Sequence, residues 1–293
     1  MKEKEYVKSK NNGINKERGE PSWINRGSFP RQKLMDNLGN TYTLRIYRGI
    51  PGNQYFEEFE LERKHDANVI SALMDIQKNP VNKKGQPTTP VVWEQGCLEE
   101  VCGSCSILIN GRPRQSCTAL IEDYIKKTKS TVITLAPFTK FPLIRDLHVD
   151  RTSMFESLKK VRAWVESDGT YDIGDAPKIS PEVQEALYVL STCMTCGCCS
   201  ESCPQTNKNS KFMGPAPISQ VRLFNSNPLG KFTKSERLRP VLEEGGIADC
   251  GNAQNCVKVC PKGIPLTESL SIIGREASKQ ALKDFFSLPD AEK

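Results

Sequence analysis

Twelve cysteines in a chain of 293 residues fall into three blocks, and two of those blocks share one spacing. Residues 193–204 run C-x-x-C-x-x-C-x-x-x-C-P through Cys193, Cys196, Cys199, Cys203 and Pro204, with Cys198 as an additional thiol. Residues 250–261 repeat the run through Cys250, Cys256, Cys260 and Pro261, except that Ala253 stands where the second cysteine would be. The first thirty residues are polar and lysine-rich with no apolar centre, so the sequence predicts no secretory signal. In a reducing compartment a set of thiols this dense binds metal more readily than it forms a disulfide framework.

The doubled run is the two-cluster ferredoxin spacing, in which the last cysteine of each run ligates the other cluster. Short spacings let three thiolates of one loop reach three irons of a cube. A proline directly after each run stops the chain from continuing as helix there. The pattern predicts Cys193, Cys196, Cys199 and Cys260 as ligands of a 4Fe–4S cluster. Cys203, Cys250 and Cys256 remain for the second site. A methyl group at Ala253 cannot bind iron, so three thiolates favour a 3Fe–4S cluster there. Cys198 fits no ligand position and reads as a small buried apolar residue.

The earlier block is Cys97-x4-Cys102-x2-Cys105 followed by Cys117, the plant-type 2Fe–2S spacing. Gly96 and Gly103 would let the backbone pass close to such a cluster and aim N–H groups at its sulfurs. The same four sulfurs could instead hold zinc. The two histidines, His65 and His148, lie outside all three blocks, which excludes a Rieske centre. No nucleophile–base constellation and no Gly-rich phosphate loop occurs. The sequence therefore shows no catalytic residues of its own, and the bound cofactors would carry the chemistry.

Hydropathy and periodicity divide the chain. Residues 1–35 are polar, and read as a flexible tail or as an arm on a partner anchored by Trp23, Ile24 and Phe29. Tyr42, Leu44 and Ile46 alternate with polar neighbours as a strand, and Phe56 to Leu61 reads as its partner across Pro51-Gly52-Asn53. Asn68 to Gln77 has helical spacing, Ser106 to Ile109 enters an Asn110-Gly111 hairpin, and Thr131 to Leu135 is another strand. These elements predict a small α+β domain over 36–140. Beyond Pro142 the period becomes helical, with starts expected at a Ser153/Glu156 capping box, at Ser180-Pro181, near Pro217, at Ser235 and at Thr267. The predicted second domain, 141–293, is all-helical around the two later clusters.

Mean hydropathy is −0.49, and no apolar run approaches the length of a membrane span. Net charge is +6, which raises the question of nucleic acid or an anionic membrane surface. The basic residues are spread along the chain rather than gathered with aromatics, so the sequence predicts no nucleic-acid partner.

The order of the three centres resembles the iron–sulfur subunit of succinate dehydrogenase and fumarate reductase. Specific strings agree: Cys97-Leu-Glu-Glu-Val-Cys102-Gly-Ser-Cys105, Leu143-Ile-Arg-Asp-Leu-His-Val-Asp150, Phe212-Met-Gly-Pro215 and Cys256-Val-Lys-Val-Cys260-Pro-Lys-Gly263. The similarity spans about 40–275. It implies a β-grasp domain of plant-type ferredoxin fold followed by an α-helical ferredoxin domain. It further implies electron transfer from the FAD of a flavoprotein subunit, through 2Fe–2S, 4Fe–4S and 3Fe–4S clusters, to a quinone at a membrane anchor. The subunit would sit peripherally on the cytoplasmic face of a bacterial membrane, or the matrix face in mitochondria. Well-known members carry a tryptophan pair after the first Cys-Pro and a histidine after the first cysteine of the second run. Here Gln205 to Ser210 and Gly251 stand in those places, so the usual ubiquinone residues do not carry over. The stretch Gly214 to Asn225 instead resembles the branch with a dihaem cytochrome b anchor and menaquinone.

Two other readings share these residues. One is an iron–sulfur subunit of another flavoenzyme, such as a thiol-driven fumarate reductase, which would add a cysteine-rich region after Cys260; none follows here. The other is a zinc-binding structural protein, which would be colourless and free of sulfide. From the gap in the second run we expect Ala253→Cys to admit a fourth iron, lower the potential of that centre and slow quinone reduction. EPR of the oxidised protein reads it: a three-iron signal in the wild type must vanish in the variant, and its absence from the wild type would refute the reading.

Overall fold

The computed structural model describes residues 39–166 and 178–287. The stretch 1–35, with the expected anchors Trp23, Ile24 and Phe29, lies outside the described residues.

Alternation makes the first ladder. In β1 (Thr41–Ile50) Tyr42, Leu44 and Ile46 are buried, and β2 (Asn53–Glu62) pairs with it antiparallel across the Pro51-Gly52 turn. Helix α1 (Val69–Lys78) follows Asn68, whose side chain accepts from Ser71 N while the Ser71 hydroxyl accepts from Asn68 N, a reciprocal cap. Strands β3 (Ser106–Ile109) and β4 (Arg112–Gln115) meet at Asn110-Gly111, both at positive φ, as the hairpin signal requires. Helix α2 (Ile121–Thr128) was not anticipated; its charged face hides an inward pair of only Ile121 and Ile125. Strand β5 (Val132–Ala136) closes the sheet, parallel to β1 and antiparallel to β3, giving the order β2-β1-β5-β3-β4. Leu44, Ile46, Leu73, Ile76, Ile125 and Ile133 fill one core under this sheet, the α+β arrangement of a β-grasp. A two-stranded ladder of β6 (Leu143–Arg145) and β7 (His148–Val149) follows.

One buried cation fastens the approach to the first cysteine loop. Arg48, 1% exposed on β1, pairs with Glu57 at 2.6 Å and with Asp146 at 3.1 Å, and donates to Thr89 O at 2.9 Å. Asp146 in turn accepts from Gly49 N at 2.7 Å and Val92 N at 2.9 Å. A buried charge is tolerated when it is paired with opposite charge and hydrogen-bonded. Here the pairing ties the chain just before Cys97 to the sheet.

The remainder is helical: α3 (Thr152–Lys160), α4 (Pro181–Ser191), α5 (Cys198–Glu201), α6 (Pro215–Ser226), α7 (Lys234–Leu242), α8 (Asn255–Val259) and α9 (Leu266–Phe286). Ser180 caps α4 by accepting from Val183 N, as its position before Pro181 suggested. Two expected starts are corrected. Helix α3 begins at Thr152, whose N–H and hydroxyl both bond Asp150 Oδ1, so the Ser153/Glu156 box does not form. Its buried residue is Met154, while Phe155 faces outward. Ser235 lies inside α7 rather than capping it, because α7 continues directly from the 3-10 turn at Gly230–Thr233. Val161, Leu190, Ile218, Val221, Leu238, Val241, Ile273 and Ala277 form the helical core, with Cys199 and Cys256 inside it.

The sheet part and the helical part meet at the cysteine loops. Gly103 has φ +75°, and a β-carbon there would stand 2.7 Å from Met194 O and 2.8 Å from Cys196 Cα. Arg151 holds this loop by donating to Gly103 O (2.9 Å) and Ser104 O (3.0 Å), with Glu94 at 2.6 Å as its counter-charge. Glu201 of α5, buried, accepts from Thr139 N and Lys140 N at 3.0 Å each and from the Thr139 hydroxyl at 2.8 Å. We expect Gly103→Ala to destabilise the chain by about 2 kcal/mol or more, since a left-handed residue with a β-carbon costs ~1–2 kcal/mol before any clash with backbone. Gly85→Ala, at φ +76° with open space around it, carries the backbone term alone. Equal losses in denaturant unfolding of the two variants would rule out the close approach.

Candidate iron–sulfur centres

The first centre is a surface loop. Between Cys97 and Cys105 the backbone turns through positive φ at Leu98, Glu100 and Gly103, which swings successive N–H groups to one side. Such alternation makes a concave nest for negative charge. Val101 N and Cys102 N both donate to Cys97 Sγ at 3.2 Å, and Glu99 N at 3.4 Å. Cys97 N and Ser104 N donate to Cys102 Sγ at 3.4 and 3.5 Å. Gly96 lies close on this side, where a β-carbon would stand 3.0 Å from Cys102 Sγ. Cys105 and Cys117, both buried, are neighbours, joined through Ser116 N to Cys105 O at 3.1 Å. Cys102 is exposed, and Leu98 and Val101 beside it are 44% and 57% exposed.

The later cysteines border two cavities. Cys193, Cys196, Cys199 and Cys260 line one, a small apolar hollow also bordered by Gly197, Ala216, Pro261, Ile264 and Leu266. Cys203, Cys250 and Cys256 line the other, with Ala253 on its wall beside Phe212, Pro215 and Leu270. Each run therefore sends its last cysteine to the cavity of the other. Positive φ recurs at Thr195 and Gly197 in the first run and at Asn252 and Gln254 in the second. Backbone N–H groups reach Cys193 from Thr195, Cys256 from Val257, and Cys260 from Lys262, Gly263 and Ile264.

The thiols are tuned in opposite directions. Burial pushes Cys105 up to about 12 and Cys256 up to about 11, and raises Cys193, Cys199 and Cys260. The N–H of Cys97 holds Cys102 down to about 6, and the thiol of Cys198 holds Cys196 down to about 7. A buried thiol gives up its proton when a cation replaces it, so these walls suit metal-bound thiolates in an apolar, N–H-lined setting. Thiolate donors, dry cavities and inward N–H groups are what Fe–S clusters require of a protein. All twelve cysteines are free of disulfides.

The structure adds groups that spacing did not reveal. Gln115, at the end of β4 and fully buried, donates to Ser106 Oγ at 2.9 Å and to Cys198 Sγ at 3.5 Å. Gln205 packs on Gly251 so closely that a β-carbon at 251 would meet its Nε2 at 2.4 Å. No linear pattern flags a polar side chain that reaches a cluster loop from another part of the chain. Among the described residues no helix is long and apolar enough to cross a membrane.

Comparison with known proteins agrees with this geometry. Residues 43–156 match a 2Fe-2S iron-sulfur cluster binding domain and residues 189–264 a 4Fe-4S dicluster domain. The succinate dehydrogenase iron-sulfur subunit of Bacillus subtilis is 57% identical over 232 residues, spanning 79% of this chain and 90% of that protein. The fumarate reductase iron-sulfur subunit of Wolinella succinogenes is 28% identical over 245 residues, 82% of this chain and 98% of its own length. A chain of the Mycobacterium smegmatis Sdh1 complex in the apo form superposes with TM-score 0.68 at 22% identity, over 83% of this chain and 97% of that one, and so shares its fold. This chain belongs to the family of succinate dehydrogenase and fumarate reductase iron–sulfur subunits, the electron-transfer subunits of succinate:quinone oxidoreductases.

Proposed function

We propose a division of the cysteines among three clusters, within a subunit that carries electrons from the FAD of a flavoprotein subunit towards a membrane quinone. Cys97, Cys102, Cys105 and Cys117 hold the 2Fe–2S cluster. Cys193, Cys196, Cys199 and Cys260 hold the 4Fe–4S cluster, and Cys203, Cys250 and Cys256 the 3Fe–4S cluster. When bound, the clusters supply one-electron chemistry, while the chain sets their spacing, their dryness and the hydrogen bonds to their sulfurs. The observation that carries the assignment is the exchange of Cys203 and Cys260 between the two cavities. The domain division at 36–140 and 141–293 follows the same logic: the first cluster belongs to the sheet part and the other two to the helical part.

The exposed Cys102 loop supports docking of the flavoprotein at that end, since a donor must approach the first cluster closely. The cavity beside Ala253 supports the opposite role for the residues around Gln205 and Gly251, at the membrane anchor on the cytoplasmic face. Gly251, covered by the Gln205 side chain, stands where ubiquinone-linked members carry histidine, and this supports an anchor of the dihaem cytochrome b type with menaquinone.

Two measurements test this. Cys260→Ser should abolish the EPR signal of the reduced four-iron cluster and leave the oxidised three-iron signal; Cys203→Ser should do the reverse. Loss of the three-iron signal alone in Cys260→Ser would overturn the exchange. The isolated native complex should contain two haems b per copy of this chain together with menaquinone, and a haem-free anchor would remove the sub-assignment.

A further inference from the structure

Two donors converge on one carbonyl in the first cysteine loop. The Ser106 hydroxyl donates to Gly103 O at 2.7 Å, and Arg151 Nη1 donates to the same oxygen at 2.9 Å. Gln115 Nε2 donates to the Ser106 oxygen at 2.9 Å, which leaves the hydroxyl proton committed to Gly103. The other terminal nitrogen of Arg151 reaches Ser104 O at 3.0 Å and Glu94 Oε2 at 2.6 Å. Both lone pairs of Gly103 O are therefore occupied, one of them by a charged donor.

The peptide that carries this carbonyl also carries the Ser104 N–H. In a trans peptide the two groups lie in one plane and point in opposite directions. With the oxygen held on the Arg151 side, the N–H faces the other way, where Cys102 Sγ accepts from it at 3.5 Å. The peptide follows Gly103, at φ +75°, the residue type that resists backbone rotation least. Gly103 cannot gain a side chain to stiffen it, because Met194 O and Cys196 Cα stand where its β-carbon would be. The holding falls to Arg151, just ahead of α3, and to Ser106, at the start of β3. The Ser106 side is buried, and the Arg151 side chain is only 12% exposed.

We propose that Arg151 and Ser106 raise the reduction potential of the two-iron centre by locking the Gly103–Ser104 peptide with its N–H towards the Cys102 sulfur. This rests on the reading of Cys102 as a ligand of that centre. Reduction adds one electron, and so negative charge, to the cluster and its thiolates. A donor aimed at a ligand sulfur stabilises the reduced form more than the oxidised one. The two donors on the carbonyl oxygen also polarise the peptide and strengthen its N–H as a donor. Glu94 offsets the guanidinium charge, so directed hydrogen bonding rather than net charge carries the effect. Both residues act through the backbone and are positioning residues.

The test is an EPR-monitored redox titration of the whole membrane-bound complex. Ser106→Ala removes one donor and no charge. In that variant the reduced-to-oxidised ratio of the two-iron cluster, read at the wild-type midpoint, should fall about threefold. In Arg151→Met it should fall about tenfold, a downward shift of about 59 mV for one electron. Arg151→Lys keeps the charge and one donor, and should titrate between Arg151→Met and the wild type. Glu94→Gln leaves both donors in place and should not lower the midpoint. The four-iron and three-iron midpoints should hold their wild-type values throughout. A wild-type two-iron midpoint in Ser106→Ala overturns the proposal even where Arg151→Met is displaced, because charge alone then accounts for the shift. Equal displacement of all three centres overturns it too, as a general loosening of the fold. Should Arg151→Met fail to assemble, Ser106→Ala decides. Cys102→Ala separates the two readings: an unaltered two-iron signal in that variant would remove the ligand assignment itself, whatever the other variants show.

Discussion

The close approach of two cysteine loops is the constraint on which the architecture turns. Electron transfer between centres is favoured by short separations, and packed ligand loops provide them. At Gly103 the backbone of one loop lies against the backbone of the other with no room for a side chain. Everything nearby serves that contact. Arg151 fixes the carbonyls of Gly103 and Ser104, Glu201 fixes the turn at Thr139 and Lys140, and Gln115 reaches across from β4. A β-grasp sheet and a helical bundle could each bind clusters separately. This set of short polar contacts, made by backbone groups and buried side chains, makes them one conductor.

The second theme is how a protein interior stabilises clusters of sulfur and iron without water. The loops alternate in backbone handedness at Leu98, Glu100 and Gly103, at Thr195 and Gly197, and at Asn252 and Gln254. In the first loop this alternation turns backbone N–H groups into donors for Cys97 and Cys102. Burial alone favours neutral thiols, as the raised Cys105, Cys199 and Cys256 show. Backbone and side-chain donors push the other way at Cys102 and Cys196. The balance leaves sites that are apolar enough to exclude water and polar enough to hold anionic ligands. Ala253 shows the same economy by omission, for one methyl group on a cavity wall decides how many thiolates that cavity offers.

Much of this was legible along the chain because cluster ligands are local. Thiolates that share a cluster come mainly from one loop, so their spacing survives in the sequence, and alternation in β1 or the Ser180-Pro181 helix start does so for the same reason. The misreadings have physical causes too. Helix α3 starts before Ser153 because the Asp150 carboxylate, just ahead of the helix, takes both the N–H and the hydroxyl of Thr152. Helix α2 was hidden because two inward isoleucines are too few to mark a period among charged neighbours.

The sequence by itself determined the number of cysteine blocks, their order and the absence of a thiol at Ala253, since covalent spacing limits which sulfurs can meet. It also carried the family resemblance that the comparisons establish. Only the tertiary structure decided that Gly103 must lack a side chain, that Gln115 reaches Cys198, and that Gln205 fills the space over Gly251. Those relations join residues far apart in the chain. They arise from packing and hydrogen-bond completion in a dry interior, and neither leaves a periodic trace in the order of amino acids.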